Sequence, residues 1–413
     1  MPSFVGMKIL SSAALAGLAL AGIAAAPGQL SATSHHVVNA AMHRDGPDGR
    51  GRVVSAKKIA GLSREQTASY LDEMNFGSPE PRYGIDEYAV VYRTVTPAGA
   101  PTTASGLLVL PRSEDRTLRT VAYEHGTNAT RLDAATTSAE SYDRAAAALV
   151  AGAGFGAVAP DYLGLGLGPG HHPYMDHASE TTASLDMLRA ARAVAADHGR
   201  SLTSKVRVTG FSQGGAAAMA LGRALQARGE LAALAPISGP YDVEHAEIPV
   251  GLHGDQLSPQ EVTFYLGYWI TSMNRLHHFY TSPSEAFQKP YSETVETLFD
   301  GDHSAPQIVA GLPATPQELL RPEFAARLDH PDGSLARAMR ENDDTCSSWR
   351  PRVPIRIFAA HGDKDVAILN ARHCQAQLRQ HRVDAPLTDV GATDHTGSAF
   401  RSMPQVVRWF ASL

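Results

Sequence analysis

The chain has 413 residues and a formal net charge of −6, from 36 lysines and arginines against 42 aspartates and glutamates. This balance excludes a strongly basic surface of the kind that binds nucleic acid by releasing counterions. Hydrophobic residues make up 43% and charged residues 19%, which is typical of a globular protein rather than a disordered one. The 2 cysteines are too few for a disulfide framework or for a zinc site made of thiolates.

The N-terminal segment has the pattern of a secretory signal peptide, with one lysine before an apolar run of small residues. The run is shorter than the ~20 residues that span a bilayer. We predict a signal peptide at 1–26, a flexible leader at 27–52, and a secreted or periplasmic protein without stable membrane insertion after cleavage. An uncleaved membrane anchor is the alternative. In an oxidising compartment Cys346 and Cys374 could form a disulfide, and two buried free thiols are the other possibility.

Extended and helical patterns alternate after the leader. Strands are predicted at 88–95, 103–110, 118–124, 156–160, 205–209, 231–237, 355–359 and 387–390. Helices are predicted at 142–151, 179–198, 214–228, 369–382 and 405–412. The first two strands are joined by a hairpin signal, and the later short apolar strands alternate with helices. The pattern indicates an α/β fold with a mostly parallel, doubly wound sheet that begins with an antiparallel hairpin.

The alternation of strand and helix patterns is interrupted between residues 239 and 345. The segment is rich in aromatic residues and prolines, is helical where any periodicity shows, and contains no run typical of a core strand. Structureless loops of this length are rare, so we predict a largely helical cap at 239–345. The α/β core then has a first part at 53–238 and a second part at 346–413.

The most informative motif is Gly210-Phe211-Ser212-Gln213-Gly214, which matches G-x-S-x-G. A predicted strand leads into it and a predicted helix leaves it, as a nucleophile elbow requires. Ser212 is therefore the predicted nucleophile, and the backbone N–H of Gln213 is a predicted oxyanion donor. The alternative is an ordinary strand-to-helix turn with an N-capping serine.

A nucleophilic serine needs a base, and the base needs an orienting carboxylate. In this topology the acid and then the histidine follow the serine along the chain, each after a strand. Asp365 in the sequence His-Gly-Asp-Lys-Asp is the predicted acid, with Asp363 as the alternative. His395 follows the last predicted strand and is the predicted base.

Further site residues are predicted from loops and from the cap. His125-Gly126 follows the third strand and nominates the backbone N–H of Thr127 as the second oxyanion donor. Tyr162 belongs to a glycine-rich loop, Asp161–Gly168, whose spacing fits no phosphate-binding motif and which we place at the border of the active site. An aromatic cluster in the cap forms either the cap's own core or an apolar wall for an acyl group. Its candidate substrate-binding members are Phe264, Tyr268 and Trp269.

No metal site is predicted. His171-His172 and His277-His278 are adjacent pairs, which do not share a helix face, and no carboxylate pattern accompanies them.

Taken in order, the segments HGT, PDYLGLG, GFSQGG, HGDKD and DH resemble the secretory-lipase (lipase A-like) branch of the α/β-hydrolase superfamily, in particular its exported bacterial esterase/lipase-like members. The resemblance covers the chain from about Tyr88 to the C-terminus. It implies the hydrolase core with a helical cap inserted before the strand that carries the catalytic acid. It also implies the triad Ser212, Asp365 and His395.

These residues favour hydrolysis of a small-molecule carboxylic ester, lipid esters included, through an acyl-enzyme and without a metal or organic cofactor. Because the base must be neutral, activity is expected to rise through pH ~6.5 to 7.5. The same triad would serve an amidase or peptidase, or an acyltransferase, and a non-catalytic binding protein with the same fold is a further alternative. Acyl length, leaving group and oligomeric state are not indicated by the sequence.

Overall fold

The computed structural model describes residues 49–77 and 80–413. The predicted signal peptide and most of the predicted leader lie outside these residues. Within the described ranges, no helix is both long and apolar enough to cross a membrane.

Nine strands form one sheet in the described chain. They are β1 (Val53–Leu62), β2 (Ile85–Val95), β3 (Pro101–Pro111), β4 (Thr117–Glu124), β5 (Gly156–Pro160), β6 (Ser201–Phe211), β7 (Leu231–Ile237), β8 (Ile357–Ala359) and β9 (Leu387–Asp389).

The helices that surround the sheet are α1 (Arg64–Glu73), α2 (Tyr142–Gly152), α3 (His177–Asp197), α4 (Gln213–Ala227), α12 (Ile368–Gln380) and α13 (His395–Ser412). Between β7 and β8 the chain forms the π-helical turn Val243–Glu247 and the helices α5 (Ile248–His253), α6 (Pro259–His277), α7 (Val295–Leu298), α8 (Ala305–Gly311), α9 (Pro316–Leu319), α10 (Pro322–Asp329) and α11 (Gly333–Ser347). The segment predicted to be a cap is therefore largely helical.

The strand order is β1-β2-β3-β5-β4-β6-β7-β8-β9. β1, β2, β3 and β5 pair antiparallel, as the predicted hairpin requires. From β5 through β4 to β9 every pairing is parallel. Parallel neighbours bring their carboxyl ends to one edge, so the loops after β4, β6, β7, β8 and β9 are placed together.

Apolar side chains pack on both faces of the sheet. One buried cluster joins the sheet to α3, α4 and α12, and another joins it to α1, α2 and α13. Helices on both faces confirm the predicted doubly wound architecture. A third buried cluster lies mainly within the residues between β7 and β8, so the predicted cap has its own apolar core.

Two parts of the fold differ from the prediction. β1 and α1 were not predicted, because most β1 side chains are exposed and leave no alternating apolar pattern. The last helix begins at His395 rather than at residue 405. Pro404 lies inside this helix, and a proline usually indicates a helix boundary. The true start is capped by Asp394, whose carboxylate accepts a hydrogen bond from the Gly397 N–H at 2.7 Å.

Candidate active site

Ser212 lies at a sharp turn between β6 and α4, with a φ of 57°. Glycine is required on both sides of it. A Cβ on Gly210 would lie 2.2 Å from the carbonyl oxygen of Gly214, and a Cβ on Gly214 would lie 2.0 Å from the carbonyl oxygen of Glu124. Both contacts are with backbone, which cannot move aside, so the strained serine is held by close backbone packing. This is the geometry of a nucleophile elbow.

Two segments with candidate oxyanion donors adjoin this turn. Gln213 is the first residue of α4, so its N–H has no acceptor within the helix. The loop after β4 passes on the other side, where a Cβ on Gly126 would lie 3.5 Å from the Ser212 Cβ. Thr127 follows in this loop, and its hydroxyl is 3.0 Å from the Tyr174 hydroxyl. Both predicted donors therefore belong to segments next to Ser212.

The predicted base is paired with a carboxylate. His395 Nδ1 is 2.7 Å from Asp363 Oδ2, and both side chains are buried. A carboxylate only accepts, so Nδ1 is the donor and a neutral ring keeps Nε2 free to take a proton. Nε2 is buried and has no hydrogen-bond partner among the described residues. The His395 ring lies 4.5 Å from the ring of Phe211, the neighbour of Ser212.

The prediction of Asp365 as the orienting acid is wrong in this geometry. Its Oδ2 accepts a hydrogen bond from the Tyr265 hydroxyl at 3.1 Å, on the cap side of the loop. Asp363 Oδ1 instead accepts from the N–H groups of Asp365 and Val366 at 2.9 and 3.0 Å. This turn directs the second oxygen of Asp363 to His395. Asp363, the alternative from the sequence, occupies the position of the acid.

A cavity of about 640 Å³, counting the space open to solvent at its mouth, adjoins Ser212. Most of its wall is apolar and comes from the segment between β7 and β8, while Glu247 and Asp365 contribute carboxylates. Its lining residues include Tyr174, Met175, Pro240, Val243, Ile248, Leu257, Val262, Tyr265, Leu266, Trp269 and Val366. The site thus combines a serine, a buried imidazole and an apolar pocket for part of a substrate.

Of the four predicted substrate-binding residues, Trp269 lines this cavity. The other three lie elsewhere. Tyr162 is fully buried with its ring 4.1 Å from the His125 ring, and Tyr268 stacks on Tyr174 at 4.2 Å. Phe264 packs against the apolar core of the cap. Tyr268 and Phe264 therefore follow the alternative in which the aromatic cluster is the cap's own core.

Several solved structures are similar to this chain. The esterase LipA of Xanthomonas oryzae, described as rice cell wall degrading, has a TM-score of 0.77 and 27% identity, with 87% of this chain and 97% of that chain covered. A Legionella pneumophila protein has a TM-score of 0.78 and 26% identity over 87% of this chain and 97% of its own. Candida antarctica lipase A has a TM-score of 0.59 and 14% identity over 84% and 78%. No protein-family model and no curated protein sequence matches the chain.

The fold is that of the α/β-hydrolases and fits their lipase A-like branch. The hydrolase core explains why the loops after β4, β6, β8 and β9 carry the oxyanion segment, Ser212, Asp363 and His395. Each follows a parallel strand, and these strands end at one edge.

The electrostatics of the hydrolase site favour a protonated base. Burial by itself lowers the pKa of His395, but the charge and hydrogen bond of Asp363 and the charges of Asp365 and Glu247 outweigh it and raise the pKa to about 9. Burial raises the pKa of Glu247 to about 8, with a further contribution from Asp363. This negative surrounding stabilises the imidazolium that forms when the base accepts a proton.

A buried polar network behind the hydrolase elbow was not predicted. The Gln213 side-chain amide donates to Glu180 Oε1 at 2.6 Å and to His172 Nε2 at 2.9 Å. His172 Nδ1 donates to the Leu163 carbonyl at 3.0 Å, and burial lowers the pKa of His172 to about 4. The neutral ring can therefore accept from Gln213 and hold the residue whose N–H starts α4. The nearest signal in the sequence was the adjacent pair His171-His172, which was weighed as a metal site and not as support for the elbow.

Proposed function

We propose that this protein is a serine hydrolase that cleaves carboxylic esters through an acyl-enzyme on Ser212. The observation that carries the proposal is the buried His395–Asp363 pair, 2.7 Å between Nδ1 and Oδ2. The His395 ring lies 4.5 Å from the ring of Phe211, which precedes the strained Ser212 at the apolar cavity. The likeness to an esterase and to a lipase supports the same reaction class.

In the proposed reaction, Ser212 Oγ forms a bond to the ester carbonyl carbon while its proton passes to His395 Nε2. The N–H groups of Gln213 and Thr127 stabilise the oxyanion. The intermediate collapses as the alkoxide leaves with the proton of His395, so an alcohol is released and Ser212 is acylated. Water then attacks by the same route and frees the carboxylic acid.

The cavity wall favours an uncharged, apolar acyl group. Val262, Leu266 and Trp269 offer apolar surface, whereas an ionised Asp365 would repel an anionic substituent. The substrate is therefore a small-molecule ester whose acyl part is neutral, and the carboxylate product is disfavoured in the site once it ionises.

We also propose that the protein is exported. The signal-peptide pattern of the sequence supports this, and so does the disulfide between Cys346 on α11 and Cys374 on α12. Disulfides persist mainly in oxidising compartments. N-terminal sequencing of the protein recovered outside the cytoplasm would test it, and an intact N-terminus in the cytoplasmic fraction would contradict it.

The decisive experiment is Ser212→Ala. We expect turnover of p-nitrophenyl butyrate to fall by about 10⁴-fold or more, because the attacking oxygen is lost. A fluorophosphonate probe should label the wild-type protein once per chain and leave the variant unlabelled. Ser284→Ala, an exposed serine of the cap, should match the wild type in both assays.

A panel of p-nitrophenyl esters from acetate to palmitate, assayed beside a p-nitroanilide, distinguishes ester hydrolysis from amide hydrolysis. Faster turnover of the anilide would favour the amidase reading over the ester proposal. Turnover that survives in Ser212→Ala would overturn the acyl-enzyme itself.

A further inference from the structure

A second cluster of polar side chains lies away from the triad, where the chain leaves β7 for the cap. Asp242 precedes the π-helical turn Val243–Glu247, and His245 lies within this turn. Asp343 comes from α11 and His373 from α12. Segments far apart in the sequence therefore converge on Asp242, which is itself buried.

The distances within this cluster suit a metal ion. One ligand atom from each of Asp242, His245 and Asp343 can be chosen so that all lie within 4.8 Å of one another. His245 Nδ1 is 3.0 Å from Asp242 Oδ1. Two ligands on one zinc ion are about 3.3 Å apart when each bond is ~2.0 Å and the geometry is tetrahedral. Separations of up to 4.8 Å must therefore shorten by about 1.5 Å or less for the three side chains to share one ion.

The two aspartates of the cluster have no permanently charged cationic partner among the described residues. Within the described ranges, the ion pairs of Asp242 are with His245 and His373, and neither Asp242 nor Asp343 is paired with a lysine or arginine. Asp242 and Asp343 are two carboxylates close enough to repel each other. A divalent cation at this point would relieve that repulsion.

We propose that Asp242, His245 and Asp343 bind a zinc ion. Two carboxylates and an imidazole are ligands that zinc accepts, and a water molecule would complete a four-coordinate site. His373 Nδ1 lies 2.6 Å from the second oxygen of Asp242 and orients that carboxylate from outside the ligand set. The exposed side chain of His245 leaves an entry path for the ion.

The ion would stabilise the position of the π-helical turn, which forms part of the wall of the substrate cavity. Val243 and Glu247 in the π-helical turn line the cavity that contains Ser212. Asp343 already accepts hydrogen bonds from the N–H groups of Val243 and Glu244 at 2.6 and 2.9 Å. Zinc on Asp343 and His245 would join this turn to α11, the helix that carries the disulfide cysteine Cys346.

Zinc binding by untagged protein, stripped of metal with a chelator, tests the proposal without any measure of catalysis. Isothermal titration with zinc chloride should saturate at one ion per chain, and the unfolding temperature should rise with zinc concentration. Calcium and magnesium chlorides should have neither effect, since an imidazole ligand disfavours these ions. The assignment would be overturned if zinc did not bind saturably, or if calcium bound and zinc did not.

Variants locate the ion. His245→Gln and Asp343→Asn each remove a ligand and should weaken zinc binding more than about 10-fold, and His373→Ala, which removes an orienting partner, by about 10-fold. His303→Gln is the matched control, because His303 Nδ1 is 3.0 Å from Asp300 in the same i, i+3 arrangement but this pair lacks Asp343 and His373. Wild-type zinc affinity in both His245→Gln and Asp343→Asn would refute the site, and circular dichroism would verify that both variants fold.

Discussion

The hydrolase core and the cap meet at Ser212, but they are held together by different kinds of contact. In the core, the elbow depends on backbone packed against backbone, with the Gly214 Cα facing the Glu124 carbonyl. In the cap, the apolar core behind the cavity wall depends on side chains, such as the Tyr268 ring stacked 4.8 Å from the Phe299 ring. Backbone contacts tolerate almost no substitution, whereas side chains can repack. The catalytic geometry is therefore set by the core, and the shape of the substrate cavity is set by the cap.

The loop after β8 is where the two regions join. Asp363 faces the core and His395, while Asp365 faces the cap and Tyr265. The carbonyl of Lys364, between them, accepts from the N–H of Ser258 at the start of α6 at 2.8 Å. Alternate residues of one loop thus serve the two regions, which gives the most direct way to test the comparison.

Asp363→Asn and its matched partner Asp365→Asn should differ most. We expect Asp363→Asn to lower kcat by about 10⁴-fold, because the amide N–H can donate to Nδ1 and stabilise the wrong tautomer of His395. On the alkaline plateau, where His395 is neutral in both proteins, Asp365→Asn should change kcat by less than about 10-fold, since a hydrogen bond from Tyr265 can be kept. Steady-state kinetics with one p-nitrophenyl ester measures both. The reverse order would restore Asp365 as the acid.

The pH dependence of kcat/KM should reflect the raised pKa of His395. The base acts in its neutral form, and its pKa of about 9 means that it is mostly protonated at pH 7. Activity should therefore rise by roughly 50-fold from pH 7 to pH 9. This is a higher range than the pH ~6.5 to 7.5 expected from an unperturbed imidazole.

Asp365→Asn sharpens that measurement. Its charge raises the pKa of His395, so its removal should move the rising limb of the profile to lower pH. The substitution Asp389→Asn, at an exposed carboxylate paired with His361, should leave the limb in place. A wild-type profile that is already level at pH 7 would contradict the proposed environment of His395.

Glycine substitutions compare the tolerance of the two regions. Gly214→Ala should reduce the free energy of unfolding by about 3 kcal/mol, because the new Cβ would lie 2.0 Å from the backbone of Glu124. Gly267→Ala in α6 should change it by less than about 1 kcal/mol. There the nearest atom, 3.2 Å away, belongs to the Phe299 side chain and not to backbone, and alanine favours the helix. Urea denaturation monitored by circular dichroism measures both, and equal losses would remove the distinction.

The smallest effect is expected at the contact between cap and loop. Tyr265→Phe removes the hydroxyl that donates to Asp365 at 3.1 Å and should cost about 1 kcal/mol of stability. The change in kcat should stay below about 5-fold, because Asp363 keeps its own partners. Tyr291→Phe, in a 3₁₀ turn of the cap, is the control for loss of a hydroxyl. A loss of activity as large as that of Asp363→Asn would mean that the cap holds the triad.

The sequence was most informative where structure is local. β5 and β7 have the predicted bounds, and the elbow at Ser212 follows from glycines adjacent to the serine. It was least informative where an element lacks its own pattern, as in the exposed strand β1, or contains a contrary signal, as in α13 with Pro404. Sequence patterns report periodicity and turn chemistry, and these elements offered neither.

The sequence by itself determined the alternation of strands and helices, the predicted nucleophile and the order of acid and base, because each depends on residues close together in the chain. Only the tertiary structure decided that Asp363 rather than Asp365 adjoins His395, since both follow the same strand and differ in which region they face. It also brought Asp242 and His373 together across 131 positions and placed Trp269 in the cavity. Contacts of this kind depend on how the cap packs on the core, which no local pattern encodes.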